Sequence, residues 1–390
     1  MAGRIAYLTQ GRLFLKDGDG QPSPVESDFA QEAVARTQQR QQKNAWKGQV
    51  GSSLVPGSAL WAMSMDDATA LKIYFTGVCR GANPQEIVYS LSTSAVGGLF
   101  AFDSINQKEN RQFHREGLCL TDLSKHREED LIACSQHFPN RTACISICRG
   151  PDVQAVTEGD SIDEAPCWIP DKGKQLVFQS SGIARNADGV AVGIGPFSVQ
   201  QLNLTNGEMS TVVESDKYDY LLPHILMDGT LLAIKRPYEP LGRTNYPLHK
   251  MLLDVVLFPF RVVRALFHFL NFFSLVFSKK PLTTATGQRV EGADLKQFVL
   301  RGRMIDAEKA LKDKAAGNDA PPLVPSSWQL VRRKQTGEEE LIASSVAAFD
   351  VDSRERIVYT NGTSIFELDG GEKPRMIGRG SLIETVVCLD

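Results

Sequence analysis

One unit recurs along this chain: a turn carrying Asp, followed by a short apolar strand. Residues 166–178 read PCWIPDKGKQLVF, residues 223–234 read PHILMDGTLLAI, and residues 348–359 read AFDVDSRERIVY. Asp, Gly and Lys supply the turn, while Val, Ile, Leu, Phe and Tyr supply a β-rich run. Repeated units of this length cannot bury their apolar faces alone, so each must pack against its neighbours.

The second half of each unit also repeats. Residues 197–215, 364–377 and 12–27 each read as a strand, a tight turn and an outer strand. The turns are Asn206-Gly207, Asp369-Gly370 and Asp17-Gly18, the strongest short hairpin signals. The C-terminal SLIETVVCLD followed by the N-terminal MAGRIAYLT reproduces the pattern of SVAAFDVDSRERIVYT at 345–360. The last strand is therefore expected to complete the sheet of the first, an arrangement that removes open edges.

The segment Trp168-Ile169-Pro170-Asp171-Lys172-Gly173-Lys174 resembles the W-S-P-D-G-K turn of the TolB-like, or WD40-like Asp-propeller, family. Met227-Asp228-Gly229 keeps the Asp-Gly, and Val351-Asp352-Ser353 keeps the Asp. The resemblance implies a propeller fold and a protein-binding role, with no particular partner. The expected fold is all-β: a single six-bladed β-propeller over 1–390, with the N- and C-terminal strands sharing a blade. The blades are read at 380–390 with 3–27, 58–115, 116–159, 160–215, 216–344 and 345–379. Strands are expected near Leu131–Ser135 and Ala143–Cys148, and the sheet is expected to resume at Ser326–Arg333.

Two insertions interrupt the blades. Residues 28–57 are rich in Ala, Gln, Arg and Lys and read as a polar helix capped by Asp28, either a solvated surface element or a partner-binding arm. The larger insertion, 240–325, lies in the fifth blade and carries MLLDVVLFPFRVVRALFHFLNFFSLVF at 251–277. Phe258, Phe260, Phe267, Phe269, Phe272, Phe273 and Phe277 supply its apolar surface. Asp254, Arg261, Arg264, His268 and Asn271 fall on one narrow helical stripe. Pro259 kinks or splits this helix.

Arg261 and Arg264 would each cost about 2.5–3.5 kcal/mol at the centre of a bilayer, so an interfacial helix fits better than a spanning one. Flanking Arg243, His249, Lys250, Lys279 and Lys280 suit anionic head groups. A helix packed on another protein or on a second copy, and a lid over one propeller face, are the other readings. The end of 292–315 reads as a charged surface helix, and NDAPPLVP as a linker.

A net charge of -3 gives no whole-chain basic field, so no nucleic-acid partner is expected. No charged leader with a long apolar stretch opens the sequence, and a cytoplasmic location, peripheral on the inner face of a membrane, is expected. The seven cysteines, Cys79, Cys119, Cys134, Cys144, Cys148, Cys167 and Cys388, form no Cys-x-x-Cys pair and read as core residues of a reducing compartment.

The chain has no G-x-S-x-G elbow, Walker loop or H-E-x-x-H, and Gly193-Ile194-Gly195-Pro196 reads as a blade turn. Asp17-Gly18-Asp19-Gly20 starts like a calcium loop, but Pro22 takes the place of the required Gly, so it reads as a hairpin. His224 is placed to face a central channel, although a structural role is the plainer reading, and Asp163 and Glu164 are placed at a channel mouth. No cofactor, metal or catalytic residue is assigned. The expectation is a non-catalytic scaffold that binds a protein partner and docks on a membrane surface through residues 251–277. The alternatives are a complex subunit with the Phe-rich helix buried against a neighbour, and an enzyme using dispersed propeller residues.

Overall fold

Alternating patterns become strands almost everywhere the computed structural model describes the chain, which is residues 3–36, 39, 73–93, 96–240, 297–306, 320–369 and 373–389. The first sheet holds β1 (Ile5–Thr9), β2 (Arg12–Lys16) and β3 (Ser23–Val25), with the last strand of the chain, β27 (Ile383–Cys388), beside β1. That pairing is antiparallel and joins Ile5 to Cys388 and Leu8 to Thr385. The turn from β2 to β3 is the expected hairpin: Gly20 donates to the Asp17 carbonyl at 2.9 Å, and Lys16 Nζ donates to the carbonyls of Gly18 and Gly20.

The second sheet runs β4 (Tyr74–Arg80), β5 (Glu86–Ser92), β6 (Val96–Asp103) and β7 (Lys108–Glu116), all antiparallel. A nine-stranded sheet follows. Its first part is β8 (Leu120–Lys125), β9 (Ile132–His137), β10 (Ala143–Arg149) and β11 (Asp152–Ala155). Its second part is β12 (Ser161–Trp168), β13 (Gln175–Arg185), β15 (Ser198–Asn203) and β16 (Glu208–Val213). One parallel bridge, Ala143 to Ile162, joins the two parts. The strands expected in the third blade are β9 and β10, within a residue or two. Gly193-Ile194-Gly195-Pro196 differs from expectation: β14 (Ala191–Ile194) pairs with the overlong end of β13, so the glycines end an extra hairpin.

The next sheet runs β17 (Tyr218–Ile225), β18 (Leu231–Pro237), β21 (Gln329–Arg333) and β22 (Glu339–Ser344), the sheet resuming at Gln329. The final one runs β23 (Ala348–Val351), β24 (Ile357–Thr360), β25 (Ser364–Leu368) and β26 (Arg375–Arg379). Between β18 and β21 lies a separate hairpin, β19 (Gln297–Leu300) and β20 (Arg303–Asp306). The sequence reading of 292–315 missed it. Its alternation spans only four residues on each arm, too short to stand out beside the charged run that follows. The charged helix expected at the end of that segment lies outside the described residues.

The core is divided among the sheet faces. One buried cluster joins β1 and β2 to β4–β6, and another joins β4–β7 to β8–β10. Two further clusters link β9 and β10 to β12–β15, and β13–β16 to β17 and β18. The next, centred on the fully buried Trp328, links β17, β18 and β21 to β23 and β24. A last cluster packs Val358 and Ile365 against Ile5, Tyr7, Ile383 and Val386, joining the final sheet to the first. Each buried Leu, Ile or Phe contributes about 1.5–3 kcal/mol.

Polar groups latch the same neighbours. Leu120 O accepts from Thr76 Oγ1 at 2.6 Å and Ser90 Oγ at 2.9 Å. The amide of Ala165 donates to Ser135 Oγ at 3.0 Å, and that of Leu222 to Gln179 Oε1 at 2.9 Å. The Cys388 amide donates to Asp350 Oδ2 at 2.7 Å. Each latch satisfies a buried backbone group that its own strand leaves unpaired.

A helix, α1, covers 28–36. Its cap is Ser27 and not Asp28: the Ala30 amide donates to Ser27 Oγ at 3.2 Å. Glu109 on β7 adds what sequence spacing could not reveal. It accepts from Ser27 Oγ at 2.7 Å and from the Phe29 amide at 2.9 Å, so a carboxylate sits at the positive end of the helix.

Candidate functional site

The strands that open four of these runs carry a defect at a corresponding place. Register shifts lie between Phe75 and Gly77 in β4, Thr121 and Ser124 in β8, Glu164 and Cys167 in β12, and Leu221 and His224 in β17. Asp122, Ala165 and Leu222 take left-handed φ values of 48°, 53° and 52°. Such bulges re-aim the side chains that follow them. In β12 and β17 the first residue to resume pairing is Cys167 and His224, respectively.

These strands, with β23 and β27, surround a cavity of about 220 Å³. Exposed Asp171, Met227 and Ser353, on the turns that leave the lining strands, ring its outer end. At the other end stands Arg301, from the tip of the β19–β20 hairpin. Its guanidinium donates to Asp122 Oδ1 at 2.9 Å and reaches Thr385 Oγ1 at 3.5 Å. Leu300 and Ile305 fix the hairpin in the core beside β17 and β23. Arg303 holds its base through Asp219 at 3.3 Å and the Pro237 carbonyl.

Burial pushes the Asp122 carboxyl up, but the charge and hydrogen bond of Arg301, with His137 and Thr121, outweigh it and hold the group below the ordinary value. Glu164 ends on the other side. Burial and then the Asp122 charge raise it, against weaker help from His137, Arg301 and Gln179. Asp163 and Glu164, read from the sequence as candidates for a channel mouth, differ in their surroundings. Asp163 is buried and accepts from Ser180 Oγ at 2.7 Å, and Glu164 accepts from Gln179 Nε2 at 3.0 Å.

His224 does line the cavity, together with Cys167 and Asp350. Its Nε2 lies 3.0 Å from Asp350 Oδ1, its Nδ1 lies 3.1 Å from the Leu222 carbonyl, and its ring packs on Phe349 at 4.9 Å. The Cys167 thiol, on the same cavity lining, donates to the Trp168 carbonyl at 3.7 Å. Burial alone would drive the proton off the His224 ring. Cys167 and Asp350 outweigh it and hold the ring well above the ordinary histidine value. Cys167 is half-buried, unlike Cys79, Cys134, Cys144, Cys148 and Cys388, which are core residues.

His126 is structural. Its Nδ1 accepts from the amides of Glu128 and Glu129, and its ring meets Trp168 edge-on at 4.7 Å. Among the described residues no group of His, Cys, Asp and Glu is arranged to hold a metal ion, and no helix is long and apolar enough to cross a membrane. Phe258, Phe260, Arg261, Arg264, Phe267, Phe269, Phe272, Phe273 and Phe277 lie outside the described residues.

No family model and no curated protein matches the chain. Among solved structures it is similar to TolB from Acinetobacter baumannii at 12% identity and a TM-score of 0.49, covering 99% of this chain and 65% of that one. A chain of the nidogen/laminin complex has 5% identity and a TM-score of 0.49, with 99% and 98% covered. The tricorn protease has 11% identity and a TM-score of 0.42, with 96% and 33% covered. This chain thus spans less than two thirds of the TolB chain. At these identities and scores no property of those proteins transfers to it.

Proposed function

We propose that the chain is a six-bladed β-propeller, closed by β27 pairing with β1, that serves as a non-catalytic scaffold for a protein partner. The supporting observation is the core cluster that packs Ile5 and Tyr7 of the first sheet against Val358 and Ile365 of the last, beside opening strands that share one cavity. A closed ring of sheets is a rigid frame, and turns on such a frame are the usual binding surface. The turn residue Met227, 56% exposed at the cavity's outer end, suits an adaptable apolar contact.

The scaffold is held at an anionic membrane surface by residues 251–277, which combine seven phenylalanines with a cationic stripe. Liposome flotation tests the attachment, using the full chain beside a version in which a Gly/Ser linker replaces residues 246–280. The full chain alone should float, and more so with anionic lipid. If neither floats, the membrane attachment is wrong and the Phe-rich segment belongs against a partner subunit.

A further inference from the structure

We propose that His224 and Asp350 form a proton-dependent clasp that ties β17 and β23 to β27, the strand that brings the end of the chain onto β1, and that loosens as pH rises above neutral. Both ring nitrogens of His224 meet groups that only accept: Nδ1 lies 3.1 Å from the Leu222 carbonyl oxygen, and Nε2 lies 3.0 Å from Asp350 Oδ1. A neutral imidazole has a single N–H, so one of these contacts would set two acceptors against each other. Both are satisfied only when the ring carries two protons, and the geometry therefore selects the imidazolium. Leu222 falls in the gap of the β17–β18 ladder between Leu221 and His224, so its carbonyl takes this donor in place of a ladder partner.

The carboxylate carries the clasp further. Asp350 Oδ2 accepts from the Cys388 amide at 2.7 Å, so one side chain of β23 holds β17 on one oxygen and β27 on the other. The ring and the carboxylate side chain are each 20% exposed, so little water replaces a lost partner. The titratable groups facing the ring are Asp350 from β23 and Cys167 from β12. Charged groups on the other strands packed against β17, and elsewhere on β12, are engaged away from it: Asp163 and Glu164 with Ser180 and Gln179, Arg185 with Asp160, Lys235 with Glu339, and Arg236 with Asp219. Across the cavity, Arg301 holds Asp122. An unfolded histidine titrates near pH about 6.5, whereas the folded chain, against the cost of burial, keeps the proton on His224 well above that. The clasp is thus complete below pH about 6.5 and is lost as pH rises through the folded value, the folded-to-unfolded ratio falling by up to about tenfold per pH unit in between.

The test labels the histidines of the full chain with nitrogen-15 and follows the ring nitrogens of His224, assigned through its backbone, from pH about 6 to about 9. At pH about 8, where an ordinary histidine is almost wholly neutral, both nitrogens should still carry protons. In urea unfolding over the same range, the advantage of the unaltered chain over His224→Gln in the folded-to-unfolded ratio should shrink by at least about tenfold. Hydrogen exchange in the 383–389 segment, corrected for its intrinsic pH dependence, should speed up with pH in the unaltered chain and stay level in His224→Gln. Two results would overturn the proposal: a neutral His224 ring at pH about 8, or an advantage that stays level from pH about 6 to about 9. If His224→Gln does not fold, Asp350→Asn takes its place. It keeps an acceptor for the Cys388 amide and should lower the pH at which His224 loses its proton by at least about 1, and an unmoved titration would sink the clasp.

Discussion

Replacing Arg301 by Met tests whether the β19–β20 hairpin is held to the cavity by charge. The guanidinium lies 2.9 Å from Asp122, and the two side chains are only 14% and 15% exposed. At an effective dielectric of about 20, unit charges about 4 Å apart interact by about 4 kcal/mol. Stranding one partner of a buried pair costs about 3–5 kcal/mol. Discounting for the residual exposure, Arg301→Met should cost about 3 kcal/mol in urea unfolding near neutral pH.

The pH dependence is the sharper test. A carboxyl held below its ordinary value adds stability above its unfolded pKa and loses it as pH falls through the folded one. Without Arg301, burial dominates at Asp122 and the folded value rises, and Glu164 rises with it. The penalty should therefore be full at neutral pH and shrink as pH falls toward about 4, where protonated carboxyls need no cation. Leu300→Ala removes a buried contact of the same hairpin and should cost about 2–4 kcal/mol, with no such pH dependence. A penalty for Arg301→Met below about 1 kcal/mol, or one that stays level or grows toward acid, would refute the reasoning.

Two further changes probe the frame. A Cβ at Gly97 would lie 1.9 Å from the Leu118 carbonyl oxygen, while one at Gly182 meets nothing within 4 Å. Gly97→Ala should thus destabilise by about 3 kcal/mol and Gly182→Ala stay within about 0.5 kcal/mol, as chemical denaturation would show. Glu109 accepts from Ser27, the Phe29 amide and, at 2.6 Å, Tyr89 Oη, so Glu109→Ala should cost about 2–3 kcal/mol. It should also speed limited proteolysis within 28–36; unchanged cleavage there would show that the carboxylate does not hold α1.

Repetition made the sheets legible. An alternating run followed by an Asp-bearing turn can bury its face in few ways, so the strands of 116–215 and 345–379 could be placed within a few residues. The ends of the chain matched as well, because β27 and β1 together carry the pattern that β23 and β24 carry alone. The irregular elements were not legible. The Asp28 cap failed because Ser27 and Asp28 are equally good caps by type, and a distant carboxylate on β7 favours the register that starts at Ser27. The β19–β20 hairpin failed because four residues per arm carry too little alternation to be seen beside a charged run.

The cavity shows where the boundary lies. Cys167 and His224 each stand four residues before the turn residues Asp171 and Asp228, so the repeat alone placed them at equivalent positions on successive opening strands. That signal was present, and bulge geometry turns it into a shared site. Asp350 stands only two residues before Asp352, and Arg301 belongs to no repeat. The amino-acid sequence by itself determined the strands, the turns and the meeting of the two chain ends, because those follow from local alternation and turn chemistry. Only the tertiary structure decided that Arg301 faces Asp122 and that Cys167, His224 and Asp350 share one wall, because contacts between residues far apart in the chain depend on the register and bulges of whole sheets.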